Sequence, residues 1–184
     1  MQRMQVVVIL GSISEESNNK KLAHYILNRY KDLMDMHLMT LNDLPMYNED
    51  LESSLPEIVK EYKNIIRSSD GVIIVTPEYN HSIPGVLKNA IDWFSRGKRA
   101  MVRKPVMIAG ASTGMLGTAR AQMHLRQILN SGGVSAIALP GNEVFINNVS
   151  DKFDADGNLI HQPTISFLDQ VVSNFIEWAK KINS

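Results

Sequence analysis

The strongest constraint on the fold of this chain is a continuous apolar run, Gly71–Val75, made of Gly, Val, Ile, Ile and Val. β-branched residues favour strands, and an unbroken apolar run is typical of a strand buried on both faces, as in a parallel sheet. Residues 76–84 follow at once with two prolines and several polar side chains, and apolar residues then recur at helical spacing from Val86 to Phe94. A strand, a polar loop and a helix in direct succession form the unit from which α/β proteins are built.

The same alternation runs through the rest of the chain. Further apolar runs at 6–10, 106–109 and 134–139 alternate with segments of helical periodicity, and a short segment at 36–41, between the first two helices, is predicted to supply a fifth strand. Five strands and five helices in alternation predict an α/β fold with a doubly wound five-stranded parallel sheet, order 2-1-3-4-5, and helices on both faces. Residues 36–41 are expected at a sheet edge, and residues 141–162 are expected to be irregular. No linker-like or repetitive segment interrupts residues 1–184, which are predicted to form a single domain.

Composition excludes several classes of function. The 19 basic and 19 acidic residues cancel, so neither nucleic acid nor an anionic membrane surface is expected as a partner. The chain has no Cys, which removes disulfides, thiolate nucleophiles and Cys-ligated metals, and any redox chemistry would need a bound cofactor. The apolar runs are too short to span a membrane and the first residues lead into a strand, so a cytoplasmic protein is expected. A calcium loop counted back from Gly157 would begin at Lys152 and end at Pro163, so no metal site is predicted.

Three polar loops follow the first, third and fourth predicted strands, and this topology opens all three on one edge of the sheet. Their candidate ligand-binding residues are Ser12, Ser14, Ser17 and Asn19 in the first loop, Pro77, Glu78, Tyr79 and Asn80 in the second, and Ser112, Thr113 and Gly114 in the third. Hydroxyl and amide groups before the first helix, together with its N-terminal N–H groups, suit a phosphate. Prolines restrict the second loop, and glycines let a ligand approach the backbone of the third.

Each loop also has a plainer interpretation. Ser17 or Asn18 is as well suited to capping the first helix as to binding a phosphate. Tyr79 could pack against the neighbouring helix, and Ser82 with Pro84 has the chemistry of a helix start. The glycines of the third loop are equally typical of a flexible loop. Neither the dinucleotide-binding glycine pattern nor the P-loop pattern occurs after the first strand.

Residues 76–96 read TPEYNHSIPGVLKNAIDWFSR and resemble the signature loop of the NAD(P)H-dependent FMN reductases, a flavodoxin-like family that includes azoreductases, quinone reductases and chromate reductases. Residues 11–19 and 110–127 resemble further segments of that family in the same order. The resemblance implies a flavodoxin-like fold, FMN bound by the candidate residues, and NADH or NADPH as co-substrate. It also implies ping-pong hydride transfer through the flavin to a small acceptor (quinone, azo compound, flavin or metal ion), a homodimer or homotetramer, and no catalytic side-chain acid.

The chain departs from the family at Ser14, where the family usually has Arg, so the phosphate would depend on neutral donors and the helix terminus. The resemblance places His124, Arg120 and Arg126 near a subunit interface. Candidates for a wall of the site are Met115, Leu116, Trp93 and Phe94, although core packing explains the last two equally well. A non-enzymatic electron carrier of the same fold is the alternative function. Such carriers are typically acidic, whereas this chain is neutral, which favours the enzyme.

Overall fold

Residues 3–184, the part of the chain that the computed structural model describes, form a parallel sheet of six strands with five α-helices. The strands are β1 (Met4–Leu10), β2 (Met34–Met39), β3 (Gly71–Val75), β4 (Pro105–Ala111), β5 (Ile137–Ala138) and β6 (Val144–Ile146). The helices are α1 (Asn18–Arg29), α2 (Glu57–Ser68), α3 (Gly85–Phe94), α4 (Ala119–Leu129) and α5 (Gln162–Asn183). The strand order β2-β1-β3-β4-β5 confirms the predicted flavodoxin-like sheet.

Alternate residues of each strand pack into opposite layers, because side chains along a strand point to alternate faces. Val6 and Val8 of β1 join a core with α1 and α5, whereas Val7 and Ile9 join a second core with α2, α3 and α4. β3 is buried along its whole length, as its continuous apolar run predicts. Complete burial of a Val or Ile side chain stabilises the folded protein by roughly 1.5–3 kcal/mol, so the two core layers supply the main stabilisation. They also fix the position of the sheet edge that carries the loops.

The last strand differs from its prediction. Residues 134–139 are predicted as one strand, but only Ile137–Ala138 form β5, beside the start of β4. Pro140 and Gly141, which has a φ of 59°, turn the chain away. It returns as β6 beside the end of β4, so the sheet has a sixth strand and residues 141–162 are not wholly irregular. β6 extends the sheet at the edge where the candidate loops lie.

Lysines close the C-terminal ends of two helices. Lys104 donates from Nζ to Ser69 O after α2, and Lys63 donates from Nζ to Arg96 O after α3. Burial lowers the pKa of both lysines because it disfavours the charged form. The carbonyls at a helix C-terminus have the opposite preference, since they are favourable acceptors for a cation. α1 ends at Arg29, and Leu33, four residues beyond its end, is exposed. Within residues 3–184, no helix has both the length and the apolar character needed to cross a membrane.

Candidate functional site

The three candidate loops begin side by side at the C-terminal ends of β1, β3 and β4. The first residue of each loop is still hydrogen-bonded to the neighbouring strand: Gly11 N donates to Val75 O (2.8 Å), Thr76 N to Ala109 O (3.0 Å) and Ser112 N to Ile146 O (2.9 Å). Neighbouring strands lie about 4.8 Å apart, so the structure brings the loops together on a short stretch of one edge.

Ser17 and Asn19 fix the start of α1 and join it to the third loop. Ser17 Oγ accepts hydrogen bonds from Asn19 N (3.2 Å) and Lys20 N (3.4 Å), which is the geometry of a helix cap. The buried Asn19 side chain donates from Nδ2 to Ala111 O and accepts from Ala111 N at Oδ1, both at 2.9 Å. This amide therefore holds the first loop against the end of β4.

The first loop leaves several backbone donors free. Ser12 is buried and accepts from Ser14 N at Oγ (3.4 Å), while Ser14 itself is exposed. Within residues 3–184, no hydrogen bond uses the backbone N–H groups of Ile13, Glu15 and Glu16. Lys20 donates from Nζ to Glu15 Oε2 (2.8 Å), and this hydrogen bond lowers the pKa of that exposed carboxyl. Free N–H groups beside a helix N-terminus fit a phosphate, but Lys20 on α1's first turn is already paired with a carboxylate.

The second loop contains a two-residue hairpin turn. Tyr79 N donates to Ser82 O (2.9 Å) and Ser82 N donates to Tyr79 O (3.0 Å). The two central residues, Asn80 and His81, both have positive φ, at 49° and 62°, which defines a type I′ turn. The Tyr79 side chain is exposed at the turn and does not pack into the core. Its ring is therefore available to a planar ligand.

Both ends of this turn are attached to α4. Glu78 accepts at Oε2 from Arg120 N (2.9 Å) and Ala121 N (3.1 Å), and Ser82 Oγ shares a 2.7 Å hydrogen bond with His124 Nδ1. The sequence alone gave no sign of these contacts, since about 42 positions separate the partners. Only the crossover of the chain between β3 and α4 brings them together.

The third loop is open at its tip. Ser112 Oγ accepts from Gly114 N (3.1 Å), whereas Thr113 and Gly114 are exposed and Thr113 N makes no hydrogen bond within residues 3–184. Asn147 Nδ2 donates to Met115 O (2.9 Å) and holds the outer part of the loop. Met115 and Leu116 project into solvent. A ligand can therefore approach the backbone of this loop directly.

Two residues proposed as a wall of the site lie elsewhere. Trp93 and Phe94, at the end of α3, are buried in the core, so core packing is the correct one of the two interpretations open for them. Trp93 donates from Nε1 to Pro45 O (2.8 Å), and the buried Asn89 side chain donates to the same carbonyl (2.9 Å) and accepts from Tyr47 N (2.7 Å). These side chains anchor the segment after β2 instead of facing a ligand.

A separate groove of about 590 Å³ lies between the outer side of α1 and the turn at 156–158. Among the candidate residues it includes Ser17 alone. Lys20 and Arg29 line it, but both are paired, with Glu15 and Asp169. The groove therefore adjoins the first loop at Glu15 and Ser17 and includes no residue of the second or third loop.

A doubly wound sheet with free N–H groups after β1 and exposed loops after β3 and β4 defines a flavodoxin-like nucleotide-binding protein. Residues 4–151 match the family described as NADPH-dependent FMN reductase. The chain therefore belongs to that family, as the sequence predicts, and it is an oxidoreductase with FMN as cofactor and NAD(P)H as co-substrate.

Individual relatives match nearly the whole chain. It is 39% identical over 183 residues to NADH-dependent flavin reductase subunit 2 of Lactobacillus johnsonii, covering 97% of this chain and 98% of the relative. It is 36% identical over 179 residues to 2-hydroxy-1,4-benzoquinone reductase of Burkholderia sp, covering 96% and 97%. Among solved structures, the flavoenzyme NAD(P)H:(acceptor) oxidoreductase FerB from Paracoccus denitrificans superposes with a TM-score of 0.89 at 35% identity, covering 97% and 98%.

Proposed function

We propose that the three loops hold FMN at the sheet edge and that electrons pass through it from NAD(P)H to a small planar acceptor, a quinone or a free flavin. The observation that carries this proposal is the convergence of three loops with exposed polar groups at the ends of adjacent strands. When bound, the flavin supplies the hydride chemistry, and the protein binds and orients it. The names of the two relatives, a flavin reductase and a benzoquinone reductase, support this class of acceptor.

The candidate residues divide into those that touch the cofactor and those that hold the loops. Ser12, Ser14 and the free N–H groups of the first loop would receive the phosphate, and Pro77, Tyr79 and Asn80 would border the ring. Ser112, Thr113 and Gly114 would border it from the third loop. The backbone N–H groups of Asn80 and Thr113 make no hydrogen bond within residues 3–184, so they could stabilise negative charge on the reduced ring. Ser17, Asn19 and Glu78 would contribute through the backbone that they fix.

One open ring face serves two reactants in turn, so we further propose ping-pong kinetics. A second subunit would close the edge, in a homodimer or homotetramer, and the exposed Met115 and Leu116 support a contact there. We place the enzyme in the cytoplasm, where both nicotinamide dinucleotides are available as reductants.

Anaerobic titration of the FMN-loaded protein tests this proposal. NADH or NADPH alone should bleach the visible flavin band, a quinone should restore it, and initial rates at several acceptor concentrations should give parallel double-reciprocal lines. A protein that takes up no FMN would overturn the assignment. A flavin that is reduced only when a separate reductase is added would identify an electron carrier.

A variant of the exposed ring tests the site itself. Tyr79→Ala should weaken FMN binding and lower turnover together, because stacking on a flat ring contributes to the affinity. Phe167→Ala on α5 is a matched control, since Tyr79 is 51% and Phe167 42% exposed. Equal losses in both variants would argue against a specific role for Tyr79.

A further inference from the structure

The turn that carries Tyr79 and Asn80 is held in an uncommon backbone conformation. Asn80 and His81 have φ values of 49° and 62°, a region that residues other than Gly rarely occupy. Asn and His tolerate this region better than most residues, which suits both to the centre of the turn but does not by itself hold them there. Two backbone hydrogen bonds close the turn, and a hairpin this short is marginally stable by itself. Contacts from outside the loop must therefore keep it in place.

α4 supplies those contacts at both ends of the turn. Glu78, immediately before the turn, accepts from Arg120 N and Ala121 N at 2.9 and 3.1 Å. Ser82, the last residue of the turn, meets His124 Nδ1 at 2.7 Å. His124 lies four residues after Arg120, so the two attachment points are on neighbouring turns of the same helical face.

The helix depends on this contact in return. Thr118 occupies the N-cap position of α4 but makes no side-chain capping bond, and its Oγ1 instead accepts from Gln122 Nε2 (2.9 Å). Glu78 provides the missing cap from a different loop, and a carboxylate is favoured at a helix N-terminus. α4 begins directly after the third loop, so one helix joins the second and third loops of the site.

We infer that α4 acts as a clamp in which Glu78, Ser82 and His124 are positioning residues that set the conformation of Tyr79 and Asn80 for FMN binding. This inference rests on the proposed function, since it takes the second loop to border the flavin. A turn held in its binding conformation before the ligand arrives loses less conformational freedom on binding, and the affinity rises accordingly. His124 and Ser82 act through the turn and touch neither reactant.

A purely structural role for the same contacts makes a different prediction. If the Ser82–His124 hydrogen bond only stabilises the fold, its removal lowers the unfolding temperature of the FMN-free protein and leaves FMN affinity unchanged. If it positions the turn, its removal changes FMN affinity more than stability, because the bond joins two surface segments and covers no core residue.

The test is a double-mutant cycle read by quenching of flavin fluorescence in the purified full chain. Ser82→Ala and His124→Ala should each raise the Kd for FMN about fivefold, the value of one net hydrogen bond. The double variant should be no weaker than either single variant, because both remove the same bond. His124→Asn should bind FMN almost as the wild type does, since its amide can occupy the place of Nδ1 and either donate or accept.

His24→Ala is the matched control, an exposed helical histidine on α1 that lies outside the three loops. It should leave the Kd for FMN unchanged. If the wild type binds FMN and the Ser82→Ala and His124→Ala variants bind it with the same Kd, the clamp is overturned and the proposed function still stands. A wild type that binds no FMN would overturn both. Failure of His124→Asn to restore binding would also count against the clamp.

Discussion

Ser14 stands in a loop that offers a phosphate only neutral donors. Glu15 and Glu16 follow it, both exposed, and Lys20 is occupied by Glu15. Replacing Ser14 by Arg is expected to lower the Kd for FMN about tenfold, because a guanidinium forms charge-assisted, two-pronged hydrogen bonds to phosphate. Fluorescence titration at increasing salt measures the effect, and the gain should shrink as salt screens the pair. Ser14→Gln, of similar reach but uncharged, is the control. An equal gain from Gln would refute the electrostatic explanation.

Gly110 allows β4 to pass close to the start of α4. A Cβ built there would lie 2.0 Å from Thr118 Oγ1 and 2.6 Å from Thr76 O, and the backbone oxygen cannot easily move. Gly110→Ala should therefore destabilise the protein by about 2–3 kcal/mol, the cost of overpacking, and weaken FMN binding by displacing the loops after β3 and β4. Urea unfolding measures the first effect. Gly132→Ala is the control, because nothing lies within 4 Å of its Cβ position. Similar losses in both variants would contradict this explanation.

α1 and α5 are joined by a two-pronged ion pair on one face of the sheet. Arg29 donates from Nε to Asp169 Oδ1 (2.6 Å) and from NH2 to Oδ2 (2.7 Å), and Tyr30 donates its hydroxyl to Oδ1 (2.8 Å). The hydrogen bond from Arg29 is the main cause that lowers the pKa of Asp169, while burial raises the pKa of Tyr30. The pair joins the C-terminal end of α1 to α5, and α1 begins directly after the first loop.

The pH dependence of stability reports on this pair. Because folding lowers the pKa of Asp169, its contribution is complete above the unfolded value of about 3.9 and is lost as pH falls through the folded pKa. Asp169→Asn should cost about 1 kcal/mol at neutral pH, since both partners are partly exposed, and the difference from wild type should narrow in acid. Urea unfolding at several pH values measures both. Asp32→Asn, at an exposed position, should cost little, and a pH-independent loss in Asp169→Asn would contradict the linkage.

Strands and helices with strong local patterns were predictable, and pairings between distant segments were not. The apolar run of β3 specifies a central buried strand, and the structure shows it buried at every residue. Residues 134–139 are mostly apolar but are interrupted by Ser135, which has a φ of 53°. Only Ile137–Ala138 pair with the start of β4, and β6 pairs with its end after the turn at Pro140. Asn19 was a candidate for ligand binding from its place in the first loop. Its contact with Ala111 spans 92 positions and leaves no periodic signal in the sequence.

Taken as a single chain, the molecule leaves one side of its proposed flavin site open. Tyr79, Met115 and Leu116 are exposed at the loops after β3 and β4, and apolar side chains grouped beside a binding site are typical of an interaction surface. The buried Trp93 and Phe94 cannot contribute to such a surface. The exposed residues of the third loop are therefore the best place to test the proposed subunit contact.

Leu116→Asp provides that test. If a second subunit covers the third loop, the wild type should sediment as a dimer or tetramer and the variant should shift towards monomer, because a carboxylate loses its hydration at a buried contact. NADH oxidation with FMN and a quinone should fall in parallel as the open edge loses its wall. Ile160→Asp is the matched control, since Leu116 and Ile160 are both 54% exposed and Ile160 lies outside the three loops. A wild type that is monomeric at assay concentration would refute the contact, and so would equal dissociation of the two variants.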